Sequence, residues 1–284
     1  MIEVPCYNCG SGKHTFYASE NGFFLVKCSG CGLLYVTPRP DENDISEANK
    51  CGMHRGEDVL QSTGKVEKYK LRFYCRMLRD LYGEEIQATS RTWLDVGCGY
   101  GELMLTLRRF SRGKVLVKGL EPNVKKQEYG AQHGLDITFF DFNTHHERYD
   151  CISMLNVYSH LPNPVEFVSG LKHCLKPQGE LLLQTGDTAG LPPKEHYRPF
   201  ILPDHLSFCS EAIVTGILKR CGFQIVCVRK YAPFPFSWRF MKVLKEAAKL
   251  VIPGRKSDLW KLRSQHRLSG KYCTNMYIRA KLTH

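Results

Sequence analysis

Four cysteines near the N-terminus are spaced as metal ligands. Cys6 and Cys9 form one C-x-x-C pair, Cys28 and Cys31 form another, and eighteen residues separate the two pairs. Each pair can place two thiolates on one tight turn, and four sulfurs complete a tetrahedral shell that leaves no position open for water. The spacing therefore predicts a structural zinc ion. Because so small a segment has little core of its own, the ion would supply much of its stability.

A glycine-rich segment further along the chain has the composition of a ligand-binding turn. Residues 93–101 read WLDVGCGYG, with Gly97, Gly99 and Gly101 at alternate positions behind an apolar run and Asp95. Glycine allows positive φ in a tight turn between a strand and a helix, and the missing side chains let a ligand approach the backbone. The G-x-G-x-G spacing matches neither the dinucleotide fingerprint nor the phosphate loop. It indicates a nucleotide-like ligand of another kind.

Two acidic residues end the next two predicted strands. Glu121 stands at the end of the first of them, where its carboxylate can accept hydrogen bonds from two hydroxyl groups. Asp141 ends the second, where it can accept a hydrogen bond from an exocyclic amine. Both contacts suit the ribose and the base of a nucleoside.

The elements that must position these residues alternate between strand-like and helix-like segments. Apolar runs lie at 92–96, 114–120, 137–140, 150–155 and 180–185, and helix-like stretches lie at 101–110, 123–133 and 164–175. An amphipathic helix over 65–81 precedes them, and a helix at 210–221, a strand at 223–230 and a last strand at NMYIRAKL follow. This order predicts an α/β fold: a doubly wound, mostly parallel, seven-stranded Rossmann-like sheet with a small N-terminal zinc-ribbon module.

The chain of 284 residues, 43% of them hydrophobic, can form one main core with small appendages. We divide it into a zinc-binding module at 1–40, a linker at 41–64, a main domain at 65–232, and a basic aromatic helix with a final strand at 233–284. The polar, Pro-rich stretch TPRPDENDI indicates the start of the linker. The thirteen cysteines are odd in number and lie partly in apparent core segments, which favours free thiols in a reducing compartment. With no signal peptide or membrane span in the pattern, we expect a cytoplasmic protein, with the inner membrane surface as an alternative location.

The order of the motifs extends the prediction to a family. LDVGCGYGEL resembles the first motif of class I S-adenosylmethionine-dependent methyltransferases, and GLEPN, FFDFN, YDCISMLNVYSHLPNPVEFV and LKHCLKPQGELLLQTGD resemble the segments that follow it, over about residues 90–230. The resemblance implies S-adenosylmethionine as the cofactor. It implies that Glu121 takes both ribose hydroxyls, that Asp141 lies beside the adenine, and that Asp95 pairs with the ammonium of the methionine part or orients the loop. The cofactor-binding residues expected from it are Asp95, Gly97, Gly99, Gly101, Glu121, Asp141, Phe142 and Asn156.

Two further segments resemble one branch of these enzymes. The cysteine module followed by GLLYVTPRP, and later DHLSFCS, are similar to members that methylate nucleotide-linked sugars and cell-surface saccharides. Carbon-methylating members carry a tyrosine three residues before the histidine of the second segment, where this chain has Leu202. We therefore expect transfer to an oxygen of a sugar, nucleotide-sugar or surface saccharide. His205, His160 and Tyr197 are the catalytic candidates, with His205 favoured as the general base.

The basic charge of the chain is concentrated at its end. From Arg229 onward the chain carries 14 of the 40 basic residues and 2 of the 28 acidic ones, so this part alone accounts for the net charge of +12. An anionic substrate is a matching partner. The segment YAPFPFSWRFMKVLKEAAKLVIPGRK suits a peripheral membrane contact, a lid over the site, or a helix packed on the domain, and the sequence leaves these three open.

Two other functions remain in competition with saccharide methylation. An rRNA or tRNA methyltransferase also fits a zinc module and a basic tail, although the module itself is close to neutral and NVYSHLPNP lacks the arrangement that grips an amino group on a base. Nucleic acid is therefore the less favoured partner. A non-catalytic binding module of the same fold is the third alternative, and the presence of Asp95, Glu121 and Asp141 together argues against it.

Overall fold

A computed structural model describes residues 1–54, 57–58, 64–139, 141, 145–196, 198–231 and 274–283. Three predictions fall outside these residues: Tyr197 as a catalytic group, Phe142 as a cofactor contact, and the basic aromatic helix that begins at 233. Within the described ranges, no helix has the length and apolar character needed to cross a membrane.

The chain order of the elements follows the predicted alternation in its central part. The strands are β1 (His14–Glu20), β2 (Phe23–Cys28), β3 (Leu34–Val36), β4 (Met53–His54), β5 (Glu57–Asp58), β6 (Arg91–Val96), β7 (Val115–Leu120), β8 (Ile137–Thr138), β9 (Tyr149–Leu155), β10 (Leu175–Gly186), β11 (Ser207–Phe208), β12 (Phe223–Tyr231) and β13 (Asn275–Leu282). The helices are α1 (Glu42–Cys51), α2 (Lys68–Tyr82), α3 (Glu85–Ala88), α4 (Glu102–Phe110), α5 (Val124–Gln132), α6 (Pro164–Leu171) and α7 (Glu211–Arg220), with short 3-10 turns at Tyr158–His160 and Lys172–Cys174.

The central sheet has seven strands in the order β12-β13-β10-β9-β6-β7-β8. The pairs from β10 to β8 are parallel, whereas β13 runs antiparallel to both β10 and β12. The strand predicted from NMYIRAKL is therefore inserted next to β10 and not added at the edge. This arrangement confirms the predicted Rossmann-like, mostly parallel α/β sheet.

Helices cover both faces of this sheet, so consecutive apolar residues of a central strand can all be buried. In β10, Leu181 and Leu183 belong to a core with α6 and α7, while Leu182 belongs to a second core with α2 and α4. All three leucines are fully buried. The carboxyl ends of the parallel strands are thereby held at one edge, where loops can meet a ligand.

The N-terminal segment forms a second sheet with a strand from the main domain. Its order is β1-β2-β3-β11, and β11 pairs with β3 through Ser207 opposite Tyr35 and Phe208 opposite Leu34. Val26, Tyr35 and the ligand-type residues Cys6 and Cys28 also belong to the core that contains α6 and α7. The cysteine module and the connection after β10 consequently share one sheet.

The segment expected to be a linker contains regular structure. Helix α1 starts after Asp41, whose side chain accepts a hydrogen bond from Asp44 N, and ends at Gly52 in the left-handed region. The strands β4 and β5 then form a small antiparallel pair. The polar, Pro-rich stretch TPRPDENDI favoured a linker here, whereas Asp41 and Gly52 carry the capping signals of a helix.

Candidate active site

The glycine loop connects β6 to α4 in the predicted position. Gly97, Gly99 and Gly101 have φ values of +66°, +59° and +84°, a region that disfavours side chains. A Cβ on Gly97 would collide with Val157, and one on Gly101 would collide with Leu135. A Cβ on Gly99 would meet a single side-chain atom, at 3.8 Å. The loop thus packs closely against the domain at Gly97 and Gly101. It is open at Gly99, where a ligand can approach its backbone.

Glu121 follows β7 directly and reaches back to this loop. Its carboxylate is 4% exposed and accepts hydrogen bonds from Gly99 N at 2.8 Å and Asn123 N at 3.1 Å. The Lys126 ammonium lies 3.5 Å from Oε1. A buried carboxylate in this position still has acceptor capacity for ribose hydroxyls, since each oxygen carries two lone pairs.

Asp95 is buried at 2% exposure within β6. Ser153 Oγ donates to Asp95 Oδ1 at 2.6 Å, and Trp93 Nε1 donates to Ser153 Oγ at 2.9 Å. Burial raises the pKa of Asp95 to about 7. The hydrogen bond from Ser153 lowers this pKa, and the negative charges of Glu102 and Glu121 raise it. A cationic group bound here would stabilise the ionised form.

Glu102, the first residue of α4, is a third buried carboxylate at this edge. It is 5% exposed, and its Oε1 lies 3.5 Å from Lys70 Nζ. Asp95, Glu102 and Glu121 together create a negative environment around the loop. The site therefore fits a ligand with hydroxyl donors and positive charge, which are the features of S-adenosylmethionine.

The remaining predicted cofactor contacts lie at strand ends on the same edge. Asn156 follows β9, is exposed, and has a φ of +58°. Asp141 is exposed beyond β8. Neither position contradicts the predicted roles, which stay predictions.

The two candidate histidines meet, although 45 positions separate them in the chain. The ring centroids of His160 and His205 are 4.6 Å apart. His160 lies in the 3-10 turn after β9, and His205 lies just before β11. Leu206 N donates to Ser159 O at 2.7 Å, so the backbones beside the two histidines are joined.

Backbone carbonyls fix the tautomers of both rings. His160 Nδ1 lies 2.9 Å from Asp204 O, and His205 Nδ1 lies 2.8 Å from Phe200 O. A carbonyl oxygen can only accept, so in each neutral ring Nδ1 carries the proton and Nε2 carries the lone pair. Either Nε2 is consequently able to take a proton.

The surroundings of the two rings differ. Burial disfavours a charged His160, but the Asp204 carboxylate, whose Oδ1 is 3.2 Å from Nδ1, outweighs burial and raises the pKa of His160. Burial and the neighbouring His160 lower the pKa of His205 to about 4. The pKa of Asp204 is lowered, because its contacts with His160 outweigh its burial. Asp204 is therefore a carboxylate that orients His160 and stabilises its protonated form.

Sequence reasoning missed three residues of the site. Asp204 stands beside His205 in PDHL, and Glu102 follows the glycine loop in GYGEL, so adjacency to a candidate was a usable signal for both. Ser153 is a small residue within the apolar strand β9, and nothing in its sequence context points to Asp95.

The four cysteines of the N-terminal module converge as predicted. Their Sγ atoms all lie within 4.8 Å of one another, with Cys6 to Cys31 and Cys9 to Cys28 at 3.5 Å. Gly10 N donates to Cys6 O and Gly32 N donates to Cys28 O, which closes each pair into a tight turn. This geometry is compatible with a tetrahedral zinc site, whose sulfurs would lie about 3.8 Å apart at a Zn–S distance of about 2.3 Å.

Comparisons with known proteins show the family of the chain. A family model described as a methyltransferase domain matches residues 66–228, which is more than half of the chain. Among curated relatives, the tRNA U34 carboxymethyltransferase of Azotobacter vinelandii is 32% identical over 159 residues, or 49% of this chain and 47% of the relative. The ubiquinone biosynthesis O-methyltransferase of Haemophilus ducreyi is 27% identical over 106 residues, or 32% and 44%. The chain thus spans about half the length of the curated relatives it matches.

Solved structures show the same fold. A SAM-dependent methyltransferase from Archaeoglobus fulgidus has a TM-score of 0.50 at 18% identity and covers 74% of this chain and 94% of its own. Coclaurine N-methyltransferase, bound to N-methylheliamine and SAH, has a TM-score of 0.51 at 16% identity, with coverage of 78% and 75%. These likenesses show the fold alone, and the family follows from the matched model, which covers more than half of the chain. The chain belongs to the methyltransferase-domain family.

Proposed function

We propose that this chain is an S-adenosylmethionine-dependent methyltransferase that transfers the methyl group to a hydroxyl oxygen, with His160 as the general base. The observation that carries the proposal is the contact between His160 Nδ1 and Asp204, through both the backbone carbonyl and the carboxylate. A base held in one tautomer and stabilised when protonated is suited to take a hydroxyl proton. The name of the ubiquinone biosynthesis O-methyltransferase among the relatives supports oxygen as the acceptor atom.

S-adenosylmethionine, when bound, supplies an electrophilic methyl group on a sulfonium. The protein's own contribution is to hold the cofactor and align the acceptor. Glu121 and the open centre of the glycine loop would hold the nucleoside, and Asp95 would balance positive charge. Lys126 connects the two parts of the site, because it lies beside Glu121 and its charge also acts on the histidine pair: it opposes the rise in the pKa of His160 and adds to the fall in the pKa of Asp204.

His160 replaces His205 as the favoured base. The raised pKa of His160 makes it the better proton acceptor near neutral pH, whereas a ring with a pKa of about 4 has little affinity for a proton there. His205 instead packs against the ring of His160. The sequence favoured His205 because of the resemblance of DHLSFCS, and that assignment took no account of what surrounds each ring.

The two main alternatives for the function, saccharide and tRNA methylation, differ in the molecule that accepts the methyl group. The names of the relatives do not support the saccharide acceptor expected from the sequence, and they support the tRNA alternative better. A tRNA acceptor is therefore the second candidate function, in agreement with the net charge of +12. Incubation with methyl-labelled S-adenosylmethionine, using total tRNA in one arm and a nucleic-acid-free small-molecule extract in the other, decides between RNA and small-molecule acceptors.

We also propose that Cys6, Cys9, Cys28 and Cys31 hold one structural zinc ion. Four cysteines fill a tetrahedral shell, which leaves no position for a substrate. The support is the convergence of the four Sγ atoms at the tips of two glycine-closed turns.

Replacement of His160 tests the catalytic proposal. The substrate for this test is whichever fraction, tRNA or small-molecule extract, takes up the labelled methyl group. With that substrate, His160→Ala should lower the single-turnover rate of methyl transfer by about 10² to 10⁴. The affinity for S-adenosylmethionine should stay close to wild type, because the imidazole serves the acceptor. His173→Ala, which removes an exposed histidine on the Lys172–Cys174 turn, is the matched control. Near-wild-type transfer by His160→Ala would exclude this residue as the base.

A further inference from the structure

The last residue of β1, Glu20, binds three consecutive backbone amides of the segment that carries the histidine pair. Its Oε2 accepts from Phe200 N at 2.8 Å, and its Oε1 accepts from Ile201 N at 2.5 Å and from Leu202 N at 3.1 Å. Successive amides that converge on one carboxylate form an anion-binding concavity. Glu20 belongs to the cysteine module and is 180 positions away from this segment in the chain, so the contact is purely tertiary.

The bound segment has a backbone conformation that needs such support. Ile201 has a φ of +63°, in the left-handed region that β-branched residues avoid. A strained residue of this kind persists when its surroundings hold it. The neighbouring Asn21 adds a second contact, since its Nδ2 donates to Leu202 O at 2.8 Å.

One peptide group connects Glu20 to the His205 ring. The peptide between Phe200 and Ile201 donates its N–H to Glu20 and accepts at its carbonyl oxygen from His205 Nδ1 at 2.8 Å. Hydrogen bonds at both ends of a peptide polarise one another, so the carboxylate strengthens the acceptor that His205 uses. The orientation of the ring therefore depends on a side chain of the N-terminal module.

The module also fixes the chain immediately after His205. Val36 N donates to Leu206 O at 2.9 Å, and Leu206 N donates to Ser159 O at 2.7 Å. His160 follows Ser159 directly. Asp204 and His205 thus lie between two attachment points, Glu20 on one side and the β3 edge on the other.

We propose that Glu20 is a positioning residue for the active site: through the Phe200–Ile201 peptide it fixes the tautomer and orientation of His205, which in turn packs against His160. The proposal rests on the function proposed above. It gives the cysteine module a part in positioning the acceptor half of the site, by which we mean the pair His160 and His205. Positioning of the His205 ring is a different role from stabilisation of the segment that carries it. A purely structural contact would change the stability of the segment and leave the ring of His205 in its tautomer.

Two nuclear magnetic resonance measurements on the full chain separate these roles. Hydrogen exchange of the Ile201 amide reports on the contact with Glu20, and long-range proton–nitrogen correlation of the His205 ring reports on which nitrogen carries the proton. In wild type we expect a protected Ile201 amide and a proton on Nδ1. In Glu20→Ala the amide should exchange about 10- to 150-fold faster, the range for loss of a hydrogen bond to a charged group. The His205 signals should then shift toward a mixture of tautomers.

Two further variants keep the test decisive. Glu20→Gln retains the shape of the side chain and replaces one accepting oxygen by a donor. We expect smaller changes in the same direction, both in amide exchange at Ile201 and in the tautomer of His205. If circular dichroism shows that Glu20→Ala is unfolded, Glu20→Gln replaces it in the test. Glu195→Gln removes an exposed carboxylate from the same connection and controls for charge, because Glu20, Asp204 and His160 all influence the pKa of His205 electrostatically. This control should resemble wild type in both measurements.

The outcomes distinguish this proposal from the proposed function. Faster exchange at Ile201 with unchanged His205 nitrogen signals would overturn the positioning role and leave a structural one. Unchanged exchange would overturn the contact itself. Neither measurement needs an acceptor or methyl transfer, so they stand even if His160→Ala proves fully active and the general base lies elsewhere.

Discussion

If Asp95 contacts the cofactor as predicted, its buried carboxylate should make cofactor binding depend on pH. Its pKa is raised to about 7 by burial, and a cationic group of the cofactor would favour the ionised form. Binding then requires that the proton leave. With this pKa the ionised fraction of Asp95 falls about 25-fold between pH 7.5 and pH 5.5, so the affinity for S-adenosylmethionine should fall by the same factor, or about 1.9 kcal/mol.

The variant Asp95→Asn isolates this effect because it keeps the shape and removes the charge. At pH 7.5 it should weaken cofactor affinity by about 1.5–3 kcal/mol, the range for interactions with a charged group. Its affinity should also lose most of the pH dependence. Isothermal titration calorimetry at pH 5.5, 6.5 and 7.5, in two buffers of different ionisation enthalpy, measures both the affinity and the number of protons released.

The same substitution has an opposite consequence for the cofactor-free protein. Because the pKa of Asp95 is raised on folding, the folded state binds this proton more tightly than the unfolded chain does. That contribution to stability is fully present at acid pH, below the ordinary pKa of aspartate, and is lost as the pH rises through about 7. Asp95→Asn should therefore raise the urea midpoint at pH 8, and the difference from wild type should vanish toward pH 4. Wild-type-like affinity in Asp95→Asn, or pH-independent binding in the wild type, would refute the reasoning.

Two other predictions concern the cofactor edge and the cysteine module. Glu121→Ala removes the acceptor for ribose hydroxyls and the support of Gly99 N, so calorimetry should show a loss of about 1.5–3 kcal/mol in affinity for S-adenosylmethionine, and unchanged affinity would contradict the assignment. Protein purified without added metal should contain one zinc per chain by elemental analysis, and Cys28→Ser should lose it, whereas Cys51→Ser, an exposed cysteine on α1, should retain it. Full zinc occupancy in Cys28→Ser would mean that the ligand set is wrong.

The sequence by itself determined the sheet, the glycine loop and the cofactor class. These features depend on local patterns: apolar runs of strand length, glycines where a turn needs positive φ, and acids directly after strands. The positions of Asp95, Gly97, Gly99 and Glu121 at the end of β6, in the turn and after β7 could therefore be predicted before any contact was known, and their cofactor contacts stay predictions. The C-x-x-C pairs are local in the same sense, because each forms its own turn.

Tertiary structure alone decided how the acceptor half of the site is assembled. His160 and His205 follow different strands, and the choice of His160 as the proposed base depends on its contact with Asp204 and on burial, which no spacing encodes. The strand β11 joins the sheet of the cysteine module, and Glu20 reaches the Phe200–Leu202 amides across 180 positions of chain. Hydrogen-bond partners at such separations are set by how sheets pack, and a protonation state is set by all groups that surround the ring, so this information exists only once the chain has folded.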